Sequence, residues 1–188
     1  GHEVIPPMHS PRNQLFEEGK RYREAISVPL IIAGRIRTAE DAEKVISEGS
    51  ADIVAMARTW IAEPEWARKI EQGHEETIRP CMSCSQGCAG FAFRGLPGTC
   101  VINPAAGREL ALVRPSTSGS VKRIAIVGGG PAGLEAARVA ALRGHRVVLY
   151  EAENRLGGQM RLAAGAPSRE GMMPAIEWWE RELRRYRV

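Results

Sequence analysis

The stretch Arg123-Ile-Ala-Ile-Val-Gly-Gly-Gly-Pro-Ala-Gly133 decides how this chain is read. An apolar run, Ile124–Val127, leads straight into a glycine-rich turn, and Pro131 opens a segment to Arg143 with small residues on one face. That order predicts strand, turn and helix. The turn spells G-x-G-x-x-G over Gly128, Gly130 and Gly133. In such a turn the first glycine permits the tight bend, the second admits a pyrophosphate to the backbone, and the third lets helix and strand lie close. The helix N-terminus then offers unpaired N–H groups and the positive end of its dipole to phosphates. Gly144 stops the helix, Arg146–Tyr150 reads as a second strand, and Glu151 follows it, 18 positions after Gly133. A carboxylate there accepts from ribose hydroxyls and repels a 2′-phosphate, which favours FAD, NAD or ADP over NADP at this turn. Further on, Arg155-Leu-Gly-Gly-Gln159 brings a second pair of glycines near the ligand. Pro174–Arg187 reads as a helix with Ile176, Trp179 and Leu183 toward a core.

Upstream lies the chain's densest chemistry. Cys81, Cys84, Cys88 and Cys100 fall within 20 residues, spaced C-x2-C-x3-C-x11-C. No secretion signal is expected, and the chain has apolar residues enough not to need disulfide staples, so clustered thiols read as metal ligands. A structural zinc ribbon prefers two C-x2-C knuckles far apart. Three close thiolates and a remote fourth suit a cubane, whose irons take ligands from different directions. The spacing ranks a [4Fe–4S] cluster ahead of zinc and leaves zinc open.

Residues 1–72 have the rhythm of helix and strand in alternation. Asn13–Ile26 reads as a helix and Val28–Ala33 as a strand buried on both faces. Thr38 caps a helix with Asp41 three residues on and Ala42, Val45 and Ile46 as its apolar stripe. Gly49 ends it, Ala51–Ala57 is the next strand, and Pro64–Gln72 is helical. Such units imply parallel strands with helices outside. Gly34-Arg35 and Ala57-Arg58 follow the two strands, where barrel enzymes hold ligands. Backbone N–H groups of Gly34 and Ala57 with either guanidinium would cradle a phosphate, and ordinary surface ion pairs explain the arginines equally well. Residues 73–120 lose the rhythm and close on Pro115-Ser-Thr-Ser-Gly-Ser120, a linker in composition. The chain thus divides at 1–72, 73–120 and 121–188.

Composition excludes several classes. Of 188 residues 44% are hydrophobic and 26% charged, which excludes wholesale disorder. No apolar run approaches a membrane span, so no membrane partner is expected. The 26 basic residues, 22 of them Arg, exceed the 22 acidic ones by four. They are scattered until Arg181–Arg187, unlike the stripe of a nucleic-acid binder, so no nucleic acid is expected. A cytoplasmic protein is expected.

Taken together, these pieces resemble the iron–sulfur flavoenzymes of the old yellow enzyme superfamily, which include 2,4-dienoyl-CoA reductase and trimethylamine dehydrogenase. Ile32-Ala-Gly-Arg-Ile-Arg-Thr38 and Ala51-Asp-Ile-Val-Ala-Met-Ala-Arg58 resemble the last two strands of the family's (β/α)8 FMN barrel. Ile78-Arg-Pro-Cys81 through Cys100-Val-Ile-Asn-Pro-Ala-Ala-Gly-Arg108 is similar to its cluster loop, and Ile124–Gly133, Glu151 and Leu156-Gly-Gly-Gln159 to its Rossmann-like FAD-binding domain. The resemblance implies an α/β chain holding the C-terminal part of the barrel, a 4Fe–4S loop and the start of a dinucleotide domain. It implies that Arg35 and Arg58 with Ala57 meet the FMN phosphate and that the four cysteines ligate the cluster. Gly128, Gly130, Ala132, Gly133, Glu151, Gly158 and Gln159 would meet FAD, with Arg169 near the pyrophosphate and His2 beside the substrate. Electrons would pass from NAD(P)H to FAD, the cluster, FMN and then an activated alkene such as an enoyl thioester. An amine dehydrogenase, running electrons from FMN through the cluster to a carrier protein, is the alternative, and a non-catalytic zinc or cluster module is a second. The earlier barrel strands, and with them the proton donor, are expected on a missing segment. A piece of this kind is expected to be inactive and poorly stable alone, with a strand edge unpaired.

Overall fold

The computed structural model describes residues 5–11, 15–112 and 119–188. Its first unit begins with α1 (Phe16–Ala25), β1 (Ile31–Ala33), α2 (Ala39–Ser47) and β2 (Ile53–Ala55). The Thr38 hydroxyl accepts from the Asp41 N–H at 3.0 Å, so α2 starts where the capping pattern puts it. β1 and β2 pair in parallel, with Ile31 opposite Ile53 and Ala33 opposite Ala55. Phe16, Ile32, Ile36, Val45 and Ala51 form the core between the strands and helices.

Both strands are shorter than their apolar runs. Leu30 closes the sheet by accepting from the Asp52 and Ile53 N–H groups at 3.0 and 3.1 Å. Val28 stays outside the strand, and Ala57 opens α3 (Ala57–Ala62) instead of ending β2. The expectation that β1 is buried on both faces does not hold: Ile32 is buried while Ile31 is 59% exposed. Among the described residues the first sheet has two strands, so nothing covers the outward face. α4 (Trp66–Glu71) and the four-residue α5 (Ala89–Ala92) complete this half; α1 begins at Phe16 with Leu15 as its N-cap residue, and Asn13, where the sequence pattern starts the helix, lies outside the described residues.

The second unit is a longer version of the same motif: β3 (Arg123–Val127), α6 (Pro131–Leu142) and β4 (Arg146–Tyr150). The strands pair in parallel over five residues, from Arg123 opposite Arg146 to Val127 opposite Tyr150. α7 (Gly158–Ala164) and α8 (Met173–Arg185) follow. α8 lays Ala175, Trp178, Trp179 and Leu183 on Leu134 and Ala137 of α6, and the same cluster takes in Ala62, Met82 and Ile102. The cysteine loop is therefore built onto the second unit's core. Residues 115–118 of the expected linker lie outside the described residues. Among the described residues no helix is long and apolar enough to cross a membrane.

Candidate functional site

Parallel pairing brings the C-terminal ends of β1 and β2 to one face, and a cavity of about 360 Å³ opens there. Gly34, Arg35, Ala57 and Arg58 all line it, together with Cys81, Ser83 and Cys88 from the loop. Gly34 sits where a Cβ would come within 2.7 Å of the Leu15 side chain. Arg35 is buried and held at φ 53°, a left-handed conformation uncommon for a side-chain-bearing residue. The Arg58 guanidinium donates to the Pro6 carbonyl at 2.9 Å and to the Ser85 hydroxyl at 3.0 Å, tying the strand ends to the cysteine loop.

A second, smaller cavity lies directly behind. Cys81, Cys84, Cys88 and Cys100 all line it, with Arg58, Ile61 and Ile102. None of the four thiols is in a disulfide. Burial is the largest influence on Cys81 and Cys84 and pushes both thiols up from their ordinary range. For Cys81, the Ser83 N–H at 3.4 Å and the Arg58 and Arg37 charges act in the opposite direction. Arg37 also donates to the Cys81 carbonyl at 3.0 Å. Among the described residues no three His, Cys, Asp or Glu side chains converge as ligands of one ion. The backbone is strained here: Ser83 and Ser85 both have φ near +55°. With Arg35 they put three left-handed, side-chain-bearing residues around two adjoining cavities. Each costs on the order of 1–3 kcal/mol, and strain of this kind concentrates at functional sites. The Ser83 hydroxyl is buried against the strand-end cavity and has no hydrogen-bond partner among the described residues.

The glycine turn is built as its spacing predicts. Gly128 adopts φ +102° and donates to the Tyr150 carbonyl at 2.7 Å, which ties the turn to the end of β4. A Cβ on Gly133 would collide with the Gly128 carbonyl oxygen, whereas one on Gly130 would meet nothing within 4 Å. The space over Gly130 is thus open, and Ala132, Gly158 and Gln159 are exposed. Gly157 donates to the Gly129 carbonyl at 2.8 Å, and a Cβ on Gly158 would lie 3.3 Å from Gly130 Cα, so the two glycine motifs are side by side. Gly158 and Gln159 open α7, a helix that the sequence analysis did not assign. Glu151 accepts from the Glu153 N–H at 3.0 Å and the Gly129 N–H at 2.6 Å, and these bonds hold its carboxyl below the usual range.

Arg169 precedes the short 3₁₀ turn Glu170–Met172 and lines neither cavity above, while its neighbours Ser168, Glu170 and Gly171 face Arg35 and Arg37 across a third one. His2 lies outside the described residues. The sequence reading missed a group of buried charges behind the cysteine loop, Glu63, Lys69, Arg79, Glu135 and Arg138. An Arg-Pro flank to Cys81 and a Glu two places after Gly133 were the only signals.

Residues 3–77 match the NADH:flavin oxidoreductase / NADH oxidase family, and residues 123–184 match the FAD dependent oxidoreductase family. An NADH oxidase of Thermoanaerobacter brockii is 41% identical over 98% of this chain, which spans 29% of that protein. The structure of a 2-naphthoyl-CoA reductase in complex with 2-naphthoyl-CoA superposes with a TM-score of 0.89 at 29% identity, over 97% of this chain and 28% of that one. Histamine dehydrogenase from Rhizobium sp. 4-9 superposes with a TM-score of 0.88 at 27% identity, over 96% of this chain and 27% of that one. The chain thus spans less than a third of the length of each of these relatives. With reductases and amine dehydrogenases alike matching its full run from barrel strands to glycine turn, the chain belongs to the NADH:flavin oxidoreductases of the old yellow enzyme superfamily, a family of flavin-dependent oxidoreductases.

Proposed function

We propose that this chain is the segment of a flavin-dependent oxidoreductase that joins an FMN site, a [4Fe–4S] cluster and an FAD site, and that the whole protein uses NAD(P)H to reduce an activated alkene such as a 2,4-dienoyl thioester. One observation carries the reading: the strand-end cavity and the thiol cavity share walls, with Arg58, Ile61, Cys81 and Cys88 lining both. A group held by the thiols would therefore sit against whatever occupies the strand ends.

The residues fit the groups assigned to them. Gly34, Arg35, Ala57 and Arg58 offer backbone donors and two guanidinium groups to the FMN phosphate. Ser83 has a buried hydroxyl available to a ligand in the same cavity. Four soft thiol donors around one cavity suit iron and sulfide. On this reading the open space at Gly130 takes a pyrophosphate, Gly128, Ala132, Gly133, Gly158 and Gln159 serve the same ligand, Glu151 at the end of β4 serves the ribose, and Arg169 is assigned to the pyrophosphate by the resemblance. When bound, the cluster supplies single-electron transfer between two flavins, and hydride exchange at each flavin is the cofactor's own chemistry. The chain's part is to bind, orient and exclude water.

The test is made on the full-length protein purified without oxygen. It is expected to be brown, to contain iron and acid-labile sulfide, and to bleach with dithionite. Cys84→Ser is expected to lose the iron, the sulfide and the brown absorbance, leaving the yellow of flavin. Colourless, zinc-loaded protein overturns the reading. Oxidation of NADH on adding a dienoyl thioester supports the reductase. Reduction by an amine in the absence of NADH favours the dehydrogenase, whose likeness rests on the histamine dehydrogenase superposition.

A further inference from the structure

Behind the cysteine loop the three parts of the chain meet in one buried charge network. Arg79, two residues before Cys81, has a side chain only 11% exposed. Its N–H donates to Glu63 Oε2 at 3.2 Å, and its guanidinium donates to the Ala62 carbonyl at 3.5 Å and stands 3.8 Å from Glu135 Oε1. It lies 4.8 Å over the ring of Trp178, with Arg138 5.5 Å from the same ring. Arg138 clamps Glu135 through two hydrogen bonds at 2.9 and 2.7 Å, and Trp179 Nε1 donates to Glu135 at 2.8 Å. On the other side, the Thr77 carbonyl accepts from Trp178 Nε1 at 3.0 Å and from Lys69 Nζ at 2.8 Å, and Lys69 pairs with Glu63 at 2.5 Å. Cys81, Cys84 and Cys100 pack against the core that contains Trp178. Arg79, Arg138 and Lys69 face Glu135 and Glu63 in this network, Glu182 also acts on Arg138, and Arg79 is the cation that feels Cys100.

We propose that Arg79 is a positioning residue for the group the cysteines hold: it locks the loop to the dinucleotide half through Glu135 and Trp178 and sets a permanent positive charge beside the thiolates, raising that group's reduction potential. The inference rests on the cluster reading above. Reduction adds one electron to the cluster, and a buried cation stabilises the extra negative charge. Burial is the largest influence on Arg79, yet a guanidinium keeps its proton at any ordinary pH, so the charge is fixed. The Cys100 thiolate is among the charges Arg79 feels.

The experiment is a redox titration of the cluster in the oxygen-free full-length protein, followed by electron paramagnetic resonance. Arg79→Met is expected to lower the midpoint potential and Arg79→Lys to restore most of it. Glu135→Gln removes the anion that offsets Arg79 and is expected to raise the potential. A purely structural Arg79 would give shifts of no consistent sign. If Arg79→Met fails to load iron, the other two variants decide: Arg79→Lys, which keeps the charge, is expected to stay close to the parent potential, and Glu135→Gln to lie above it. Wild-type protein without iron overturns the cluster reading itself. Iron-loaded protein in which Glu135→Gln leaves the potential unchanged, or lowers it, overturns this inference alone.

Discussion

The two β–α–β units are built on one plan and differ in what completes them. β1 and β2 pair over three residues, around a core of five, and leave Ile31 and Ile53 exposed on the outer face. β3 and β4 pair over five residues, and their unit draws Ala62, Met82 and Ile102 from elsewhere in the chain into its core. The cysteine loop is thus packed on the second unit's core through Met82, Ile102, Cys84 and Cys100, while Cys81 and Cys88 line the strand-end cavity of the first. A relay is well served by that division, since the loop keeps its place relative to the glycine turn whatever the first unit's other neighbours do.

Trp178→Ala should break the comparison most. It removes a side chain only 1% exposed, the hydrogen bond to Thr77 and the ring on which Arg79 and Arg138 stack. A loss of roughly 3–5 kcal/mol is expected, by analogy with other buried Trp truncations. Urea unfolding measures the loss, and hydrogen exchange locates it. Protection should fall around Thr77–Cys84 and in α6 before it falls in α2. A loss spread evenly over both units would show that the loop does not belong to the second.

The glycine turn separates packing from ligand access. Gly133→Ala drives a Cβ into the Gly128 carbonyl and should cost about 1–3 kcal/mol in the second unit. Gly130→Ala meets open space at φ −74°, so its stability should stay within about 0.5 kcal/mol of the parent. Its affinity for FAD or ADP should nevertheless fall at least as far as that of Gly133→Ala, as read by calorimetry. Unchanged nucleotide binding in Gly130→Ala would remove the turn from the ligand site.

Acid titration should sharpen the contrast with a smaller effect. Burial pushes the Glu135 carboxyl up, but the hydrogen bonds and charge of Arg138, with Trp179 and Arg79, outweigh it and hold the carboxyl below the usual range. A group depressed in the folded state contributes stability above its unfolded value and loses it as pH falls through the folded one. The second unit should therefore weaken from the ordinary glutamate range downward, and Glu135→Gln should flatten that dependence. Thermal unfolding of parent and variant between neutral and acid pH checks this. Parallel curves would mean that Glu135 titrates alike in both states.

Much of this was legible in the sequence where neighbours along the chain decide the structure. Thr38 with Asp41, the turn from Gly128 to Gly133 and the strand runs on either side of it form local contacts, and local patterning finds them. Strand lengths were read too long because apolarity sets what a run prefers, whereas pairing partners set where it ends: Val28 is as apolar as Ile32 but has nothing to pair with. The helix at Gly158–Ala164 was hidden by its glycine start. The network around Arg79 was invisible because its defining bond joins Trp178 to Thr77, 101 positions apart. No periodicity reports a contact of that kind.

The smallest expected effect falls in the first unit. Thr38→Ala removes the hydroxyl that accepts from the Asp41 N–H and should cost about 1 kcal/mol, the usual worth of an N-cap. The loss should be confined to the first unit, because α2 touches β2 and carries Val45 in the first unit's own core. Hydrogen exchange should show α2 fraying at its N-terminus, with protection in α6 and α8 unchanged. Thr38→Ser keeps the acceptor and should return most of the stability. If Thr38→Ala instead lowered protection in α8, the two units would share one cooperative core. The division of labour between a loop-holding unit and a strand-end unit would then have no mechanical basis.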